Sequence, residues 1–409
     1  MPNRVAIVGM SGITAFGDSW EKVSAGLKSC TNAVEYMEDW NEYSGLLTKL
    51  AAPVKDFSLP NYYTRKKIRS MSRLSLFSTR ATEQALTEAG LIDDEILHNG
   101  QTGVAFGSSA GGVDAIASFG SLLVRKTTED ITSTTYVKMM PHTTAVNVGL
   151  FFGIRGRVIP TSSACTSGSQ AIGYAYESIR DGYQTVMVAG GAEELTAADA
   201  AVFDTLFATS QKNATPKLTP SPFDKKRDGL VIGEGGGAVI LEEYEHAKAR
   251  GAHILGEIVG FSTNCDATHI TQPNRETIEI CIRNSLSQAH IPPSEVGYIC
   301  AHGTATTRGD IAEGQATYAV FGNKTPISSL KSYFGHTLGA CGATEAWMSL
   351  MMMREGWFAP TINLNEPDPE CGELDFIMHE PRKVDTQYIQ TNNFAFGGVN
   401  TSLVIKRGD

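Results

Sequence analysis

Short runs of apolar residues recur along the chain, each closed by Gly, Ser or Asn and followed by a longer stretch with apolar residues at helical spacing. Such runs, bounded by turn signals, predict buried strands, and their alternation with helical stretches predicts an α/β protein. The first set of strands is expected at 5–8, 104–106, 158–162, 185–188 and 238–241. A second set is expected at 254–261, 298–301, 325–328, 375–378 and 401–405. Helical periodicity is clearest over 73–90 and 277–289, each ending near Gly or a Pro-rich turn. Both halves thus follow one plan. The charged, helix-prone stretch 242–251 is the expected join, dividing the chain into 1–251 and 252–409.

Composition narrows the function. With 409 residues the chain exceeds the size at which one core stops growing, which fits two packed halves. Apolar residues at 42% and charged residues at 19% exclude a disordered or fibrous protein. A formal charge of −10 argues against a nucleic-acid binder, which needs Lys and Arg to neutralise phosphates. Seven Cys without CxxC pairs or Cys/His clusters remove the usual zinc patterns, and an odd count fits a reducing compartment such as the cytoplasm. No charged-then-apolar leader precedes the first strand, and no apolar run has the length of a membrane span. One segment stands apart in this acidic chain: 56–73 gathers Arg65, Lys66, Lys67, Arg69 and Arg73 into a basic surface patch, which by itself reads equally as a solvated helix face.

Cys165 is the first candidate for chemistry. It lies where an apolar run passes through small residues into the helical stretch 170–180, which puts its thiol at a helix N-terminus. Unpaired N–H groups and the helix dipole there favour a thiolate and a developing oxyanion. His302 follows the strand 298–301 directly, and His336 follows the strand 325–328, with Lys331 between. Each His alone is an ordinary structural residue; at the ends of neighbouring strands they converge on a cleft. Gly107-Ser-Ser-Ala-Gly111 matches the G-x-S-x-G elbow of serine hydrolases, but no clear helix start follows it, so a glycine-rich turn is preferred over a Ser109 nucleophile.

Four segments taken together, Ser163-Ala-Cys-Thr-Ser-Gly, Ala301-His-Gly-Thr-Ala-Thr, Leu330-Lys-Ser-Tyr-Phe-Gly-His-Thr-Leu-Gly-Ala and Asn393-Phe-Ala-Phe-Gly-Gly-Val-Asn, resemble the elongating β-ketoacyl-acyl carrier protein synthases. Ser221-Pro-Phe-Asp-Lys-Lys-Arg-Asp-Gly and Glu242-Glu-Tyr-Glu-His-Ala-Lys-Ala-Arg-Gly extend the likeness nearly end to end. The resemblance implies a thiolase fold, two similar βαβαβαββ halves stacked as five layers αβαβα. It implies an acyltransferase that carries an acyl chain on Cys165 and extends it by decarboxylative Claisen condensation with malonyl-acyl carrier protein. His302 and His336 would then donate N–H groups to the malonyl thioester, and the backbone N–H groups of Cys165 and Phe396 would face the oxyanion. Lys331 would support the site, with Glu345 as its partner. Thr304 and Thr306 match positions that contact the pantetheine arm, Phe396 matches an aromatic gate, and Arg65, Lys66 and Arg69 match a helix that docks the acidic carrier. The implied reaction needs no metal or redox cofactor, since phosphopantetheine arrives on the carrier.

The departures from the family pattern also carry expectations. Ala110 replaces the larger aliphatic residue that blocks the acyl tunnel in relatives, which predicts a tunnel open to long, rigid or conjugated chains. Ala395 replaces a Gly in the gating loop and tolerates positive φ poorly, which predicts a stiffer loop. Cys300 stands where relatives often place an Asn ligand to a monovalent cation, and sulfur suits a hard cation poorly. Thr307 replaces a Pro, without a derivable consequence. A non-catalytic chain-length partner lacks the nucleophile, so the presence of Cys165, His302 and His336 disfavours that role; an active subunit needing a homologous chain-length factor stays open, as does a homodimer. Cys371 does not sit in the context of a thiolase's second Cys. Fatty-acid and type II polyketide or polyene pathways both use such an enzyme.

Overall fold

The structure, a computed structural model, describes residues 2–408. The first half supplies β1 (Val5–Ile13), β2 (Thr102–Gly107), β3 (Val158–Thr161), β4 (Val186–Glu193) and β5 (Gly235–Glu243). The second supplies β6 (Gly256–Cys265), β7 (Val296–Cys300), β8 (Pro326–Ser328), β9 (Asp375–Phe376), β10 (Tyr388–Phe394) and β11 (Val399–Arg407). They form one ladder in the order β9-β8-β7-β10-β11-β6-β1-β5-β4-β2-β3. Within it β3-β2-β4-β5-β1 and β8-β7-β10-β11-β6 repeat each other. In both, the second strand runs parallel to its two neighbours, and the fourth runs antiparallel to the third and fifth. The repeats meet where β1 crosses β6 through only three residue pairs, Val5↔Ile258, Ala6↔Glu257 and Ile7↔Gly256. Short contact at a twisted join lets two sheets diverge and admit helices between them.

The helices that matter here are α1 (Arg65–Ile68), α2 (Arg73–Glu88), α3 (Val113–Arg125), α4 (Thr143–Phe152), α5 (Ser167–Arg180), α6 (Arg275–Ala289), α7 (Thr307–Phe321), α8 (Lys331–Phe334) and α9 (Cys341–Glu355). Between the sheets, Ala171, Ile172, Ala175 and Ile179 of α5 share one core with Ala343, Ala346, Trp347 and Leu350 of α9. Outside the first sheet, Leu74, Phe77 and Ala81 of α2 with Val148 of α4 cover Val104, Phe106 and Val188. Outside the second, Ile278 and Ile282 of α6 with Ala312 and Ala316 of α7 cover Ile299, Ile327 and Val404. The result is the expected αβαβα stack. α9 is buried on nearly all sides, as a helix between two sheets must be, and its only charged residues are Glu345 inside it and Arg354 and Glu355 in its last turn.

Each strand predicted from the apolar runs is present. Within the ladder β10 is the strand missed, because its centre reads Gln390-Thr391-Asn392-Asn393, polar residues that are all buried. A second correction concerns the G-x-S-x-G segment: α3 does start right behind it, at Val113. No helix among the described residues is long and apolar enough to cross a membrane.

Candidate active site

The carboxyl ends of the parallel strands converge on one place, as open α/β sheets arrange their ligand sites. After β3 the chain turns sharply at Ala164, whose φ of 52° is unusual for a residue with a Cβ. The turn is pinned by Ser167, whose Oγ donates to Ala164 O (2.7 Å) and accepts from Ser163 N–H (3.0 Å). Cys165 therefore enters α5 through a single 3₁₀ turn, Ala164–Thr166, with its thiol at the helix's positive end. Strain held this firmly beside a nucleophile fixes where the sulfur points. Burial pushes the thiol up to about 12, while Lys331 and the backbone N–H groups of Cys165 and Phe396 pull the other way. The expected thiolate is thus a neutral thiol in the resting site, because dehydration outweighs the helix end.

His336 Nε2 lies 2.9 Å from Cys165 Sγ. Its Nδ1 accepts the N–H of Leu338 at 3.3 Å, so the ring proton sits on Nε2 and points at the sulfur. The His302 ring stands edge-on to it, with centroids 5.2 Å apart and planes at 87°. Its Nδ1 faces the amide nitrogen of Asn393 at 3.4 Å, an N–H donor, so His302 also carries its proton on Nε2. Burial first, and then the charge of Lys331, holds both imidazoles well below their ordinary range. Two neutral N–H donors therefore face one thiol. Sγ and one nitrogen of each ring lie within 4.8 Å of one another, the span a metal would need. A metal would require bare Nε2 atoms, however, reversing both Nδ1 contacts, so the hydrogen bonds favour an oxyanion over a cation.

Behind the rings, Lys331 Nζ contacts Glu345 Oε1 at 2.5 Å, and Asn393 Nδ2 donates to Glu345 Oε2 at 2.8 Å. Burial raises the Glu345 carboxyl, and Lys331 opposes this; burial likewise disfavours the Lys331 ammonium, but its contact with Glu345 outweighs that and raises it. Two further carboxylates anchor the loops. Glu313 accepts the N–H groups of His302 and Gly303, both at 2.7 Å, and Glu193 accepts those of Ser109 (2.8 Å) and Gly339 (3.0 Å). Burial raises each to about 8. Asp310, raised to about 6 by burial, holds the N–H groups of Thr304, Ala305 and Phe223. Asn393, Glu193, Glu313 and Asp310 escaped the sequence reading, since only the folded loops reveal which backbone N–H groups need an acceptor.

From Cys165 a cavity of about 470 Å³ opens outward past His302, His336 and Phe396. Thr304 and Thr306 line it, their hydroxyls 2.9 Å apart. Phe396 packs against Phe203 in a tilted pair with centroids 5.4 Å apart, and Gly397 N–H bonds Ile270 O at 2.8 Å, tying the loop to the opposite rim. The glycines of this loop, Gly397 and Gly398, take positive φ of 87° and 74°, whereas Ala395 does not. The substitution at 395 is therefore unstrained in this conformation.

The sequence now speaks directly. The family profile described as the β-ketoacyl synthase N-terminal domain matches residues 2–247, and that of the C-terminal domain matches 255–365. The 3-oxoacyl-[acyl-carrier-protein] synthase 2 of Vibrio harveyi is 37% identical, over 99% of this chain and 98% of its own. The chain belongs to the β-ketoacyl synthase family. Among solved structures, a β-ketoacyl synthase from Burkholderia phymatum is 55% identical with a TM-score of 0.98, covering 100% of both chains. The ishigamide ketosynthase/chain length factor is 28% identical with a TM-score of 0.90, again over 100% of both. The expected thiolase fold and acyltransferase class stand on this agreement.

In this β-ketoacyl synthase the remaining candidates fall outside the cleft. Ala110 is not on the wall of the cavity; it is half-buried in the loop between β2 and α3. Ser109 is likewise off the cavity wall, and its backbone N–H donates to Glu193 at 2.8 Å, which holds the segment as a loop. Cys300 is buried as a neutral thiol, pushed up to about 12 by burial, and Cys371 is buried against Gly314, away from the cavity wall. Arg65, Lys66 and Arg69 are exposed on and just after α1, with no carboxylate partner among the described residues.

Proposed function

We propose that the protein elongates an acyl chain by decarboxylative condensation. Cys165 sulfur attacks the acyl thioester of an acyl carrier protein, takes the acyl group and releases the carrier's thiol. A malonyl-carrier then enters the cavity with its thioester oxygen against the Nε2–H groups of His302 and His336. Donors positioned where charge develops stabilise the enolate as CO₂ leaves. The enolate carbon attacks the acyl-Cys165 carbonyl, whose oxygen turns to the N–H groups of Cys165 and Phe396, and the sulfur departs to give a β-ketoacyl-carrier. Lys331 keeps both imidazoles neutral, so each donates a hydrogen bond and neither is spent as an acid. One observation carries this reading: the proton of His336 is fixed on Nε2, 2.9 Å from Cys165 Sγ.

The finer assignments have separate supports. Carrier docking at Arg65, Lys66 and Arg69 rests on their free positive charge against an acidic partner. Thr304 and Thr306 serve the pantetheine arm by their place on the cavity wall. Acceptance of long or conjugated chains, in fatty-acid or type II polyketide or polyene synthesis, rests on the small side chain of Ala110 in the loop before α3, beyond the wall of the cavity that opens from Cys165. No cofactor beyond the carrier's own arm is needed. We take the two halves as 1–251 and 252–409 and the location as cytoplasmic, where seven unpaired thiols remain reduced.

Mass spectrometry of the intact protein given acyl-carrier and malonyl-carrier tests the mechanism. The expected result is an acyl adduct and a β-ketoacyl product, both absent from Cys165→Ala, with conjugated chains turned over at least as well as saturated ones. An adduct that survives in Cys165→Ala sinks the assignment; strict preference for short saturated chains removes the role given to Ala110.

A further inference from the structure

The wall of the active-site cavity holds three carboxylates and one permanent cation. The carboxylates are all engaged. Glu313 is held by the N–H groups of His302 and Gly303, and Asp266 by Asn274 N–H (3.0 Å), Thr277 and Asn400 Nδ2 (2.7 Å). Asp228 takes Ser210 Oγ and Gln211 N–H, both at 3.0 Å, and the Lys212 ammonium at 3.4 Å. The cation is Arg308, exposed in the first turn of α7. Among the described residues no carboxylate lies within ion-pairing distance of it. A guanidinium at the rim of a cavity whose acids are already satisfied is an open site for an anion.

The substrates of the proposed reaction bring two anions into this cavity. The malonyl carboxylate must lie at the closed end, because the carbon it leaves has to reach the thioester on Cys165 between His302 and His336. The other is the phosphodiester joining the pantetheine arm to its carrier, which stays at the opening while the thioester reaches Cys165. Arg308 stands on that side, two residues beyond Thr306 on the segment that leaves the closed end at His302. We propose that Arg308 grips the phosphodiester of the phosphopantetheine arm and so sets the depth of the thioester against the two imidazoles. The inference rests on the condensing reaction proposed above and adds to it the recognition of one anionic group by one side chain.

The test compares malonyl thioesters of phosphopantetheine and of pantetheine without phosphate, in wild type, Arg308→Met and Arg308→Lys, with malonyl decarboxylation as the readout. Loss of a charge-assisted, bidentate contact raises KM for the phosphorylated thioester by on the order of tenfold in Arg308→Met, with kcat little changed. The same substitution leaves KM for the unphosphorylated thioester unaltered, and Arg308→Lys recovers part of the loss. Rising salt increases KM for the phosphorylated thioester in wild type and much less in Arg308→Met. Equal KM values for the two thioesters in wild type, or an equal effect of Arg308→Met on both, overturns the proposal. Wild-type protein that decarboxylates neither thioester overturns the condensing reaction itself, and the phosphate assignment with it.

Discussion

Cys165 meets two opposed influences. The N-terminus of α5, the N–H of Phe396 and the Lys331 ammonium stabilise a thiolate, while complete burial disfavours any charge, and burial prevails with the thiol near 12. A sulfur that rests protonated can share a pocket with two N–H donors without binding them as a salt, and it becomes anionic only as the substrate carbonyl arrives to take up the charge. The sign of the pH dependence follows. Below its titration point the thiolate fraction of a thiol rises tenfold per pH unit, and it levels off only above that point. Alkylation of Cys165 by iodoacetamide, followed by mass spectrometry, should therefore rise about tenfold per unit from about pH 6 to pH 9 with no plateau. A plateau near neutrality would show a stable thiolate and remove the role given to burial. Neutral His302 and His336 add no inflection of their own in this range, since both stay unprotonated throughout.

At the scale of elements, the Lys331–Glu345 pair joins α8 to α9, and Asn393 extends the link to β10. Both charges are buried, so neither is stable without the other. Removing one partner of such a pair costs about 3–5 kcal/mol, whereas replacing both leaves no orphaned charge. Denaturant unfolding of Lys331→Met, Glu345→Gln and the double variant should find Lys331→Met the least stable and the double variant recovering more than half of its loss. Additive losses would mean that the pair is not coupled in the folded state. Lys331 was visible in the sequence because it sits on a recognisable segment; Asn393 was visible only as the first residue of the Asn393–Asn400 segment, with nothing to announce its bonds. β10 hides for the same reason. Its Gln390, Thr391, Asn392 and Asn393 are buried at the centre of the molecule, where apolar periodicity predicts no strand. The strands that pack only against side-chain cores were legible from their apolar runs. The helix start at Val113 was not, because Gly112 caps it without a side-chain hydrogen bond. Positions that serve the site obey a different rule from positions that serve the core, and periodicity records only the second.

Across the whole molecule the two ends of the ladder differ. β9 closes one end with only two residues, too short to template another strand. At the other end β3 pairs only with β2, and its remaining edge is open along four residues. Nearby, α3 and α4 expose apolar side chains that a lone chain has no reason to keep: Leu123 is 68% exposed, Val124 83% and Leu150 75%. An open strand edge and exposed apolar side chains are features that a second subunit would cover. Ala110 lies in the loop that leads into α3, so a second subunit seated against α3 would also bear on that loop. Sedimentation of the protein purified alone should give a dimer at micromolar concentration, and the double variant Leu123→Glu/Leu150→Glu should shift it toward monomer. Because the cleft around Cys165 belongs to one chain, that variant should keep malonyl decarboxylation while losing turnover of long acyl chains. A wild-type monomer that gains a partner and long-chain turnover only on co-expression with a homologous chain-length subunit would assign this surface to a heterodimer. A wild-type monomer with full turnover would leave the exposed face without a role in catalysis.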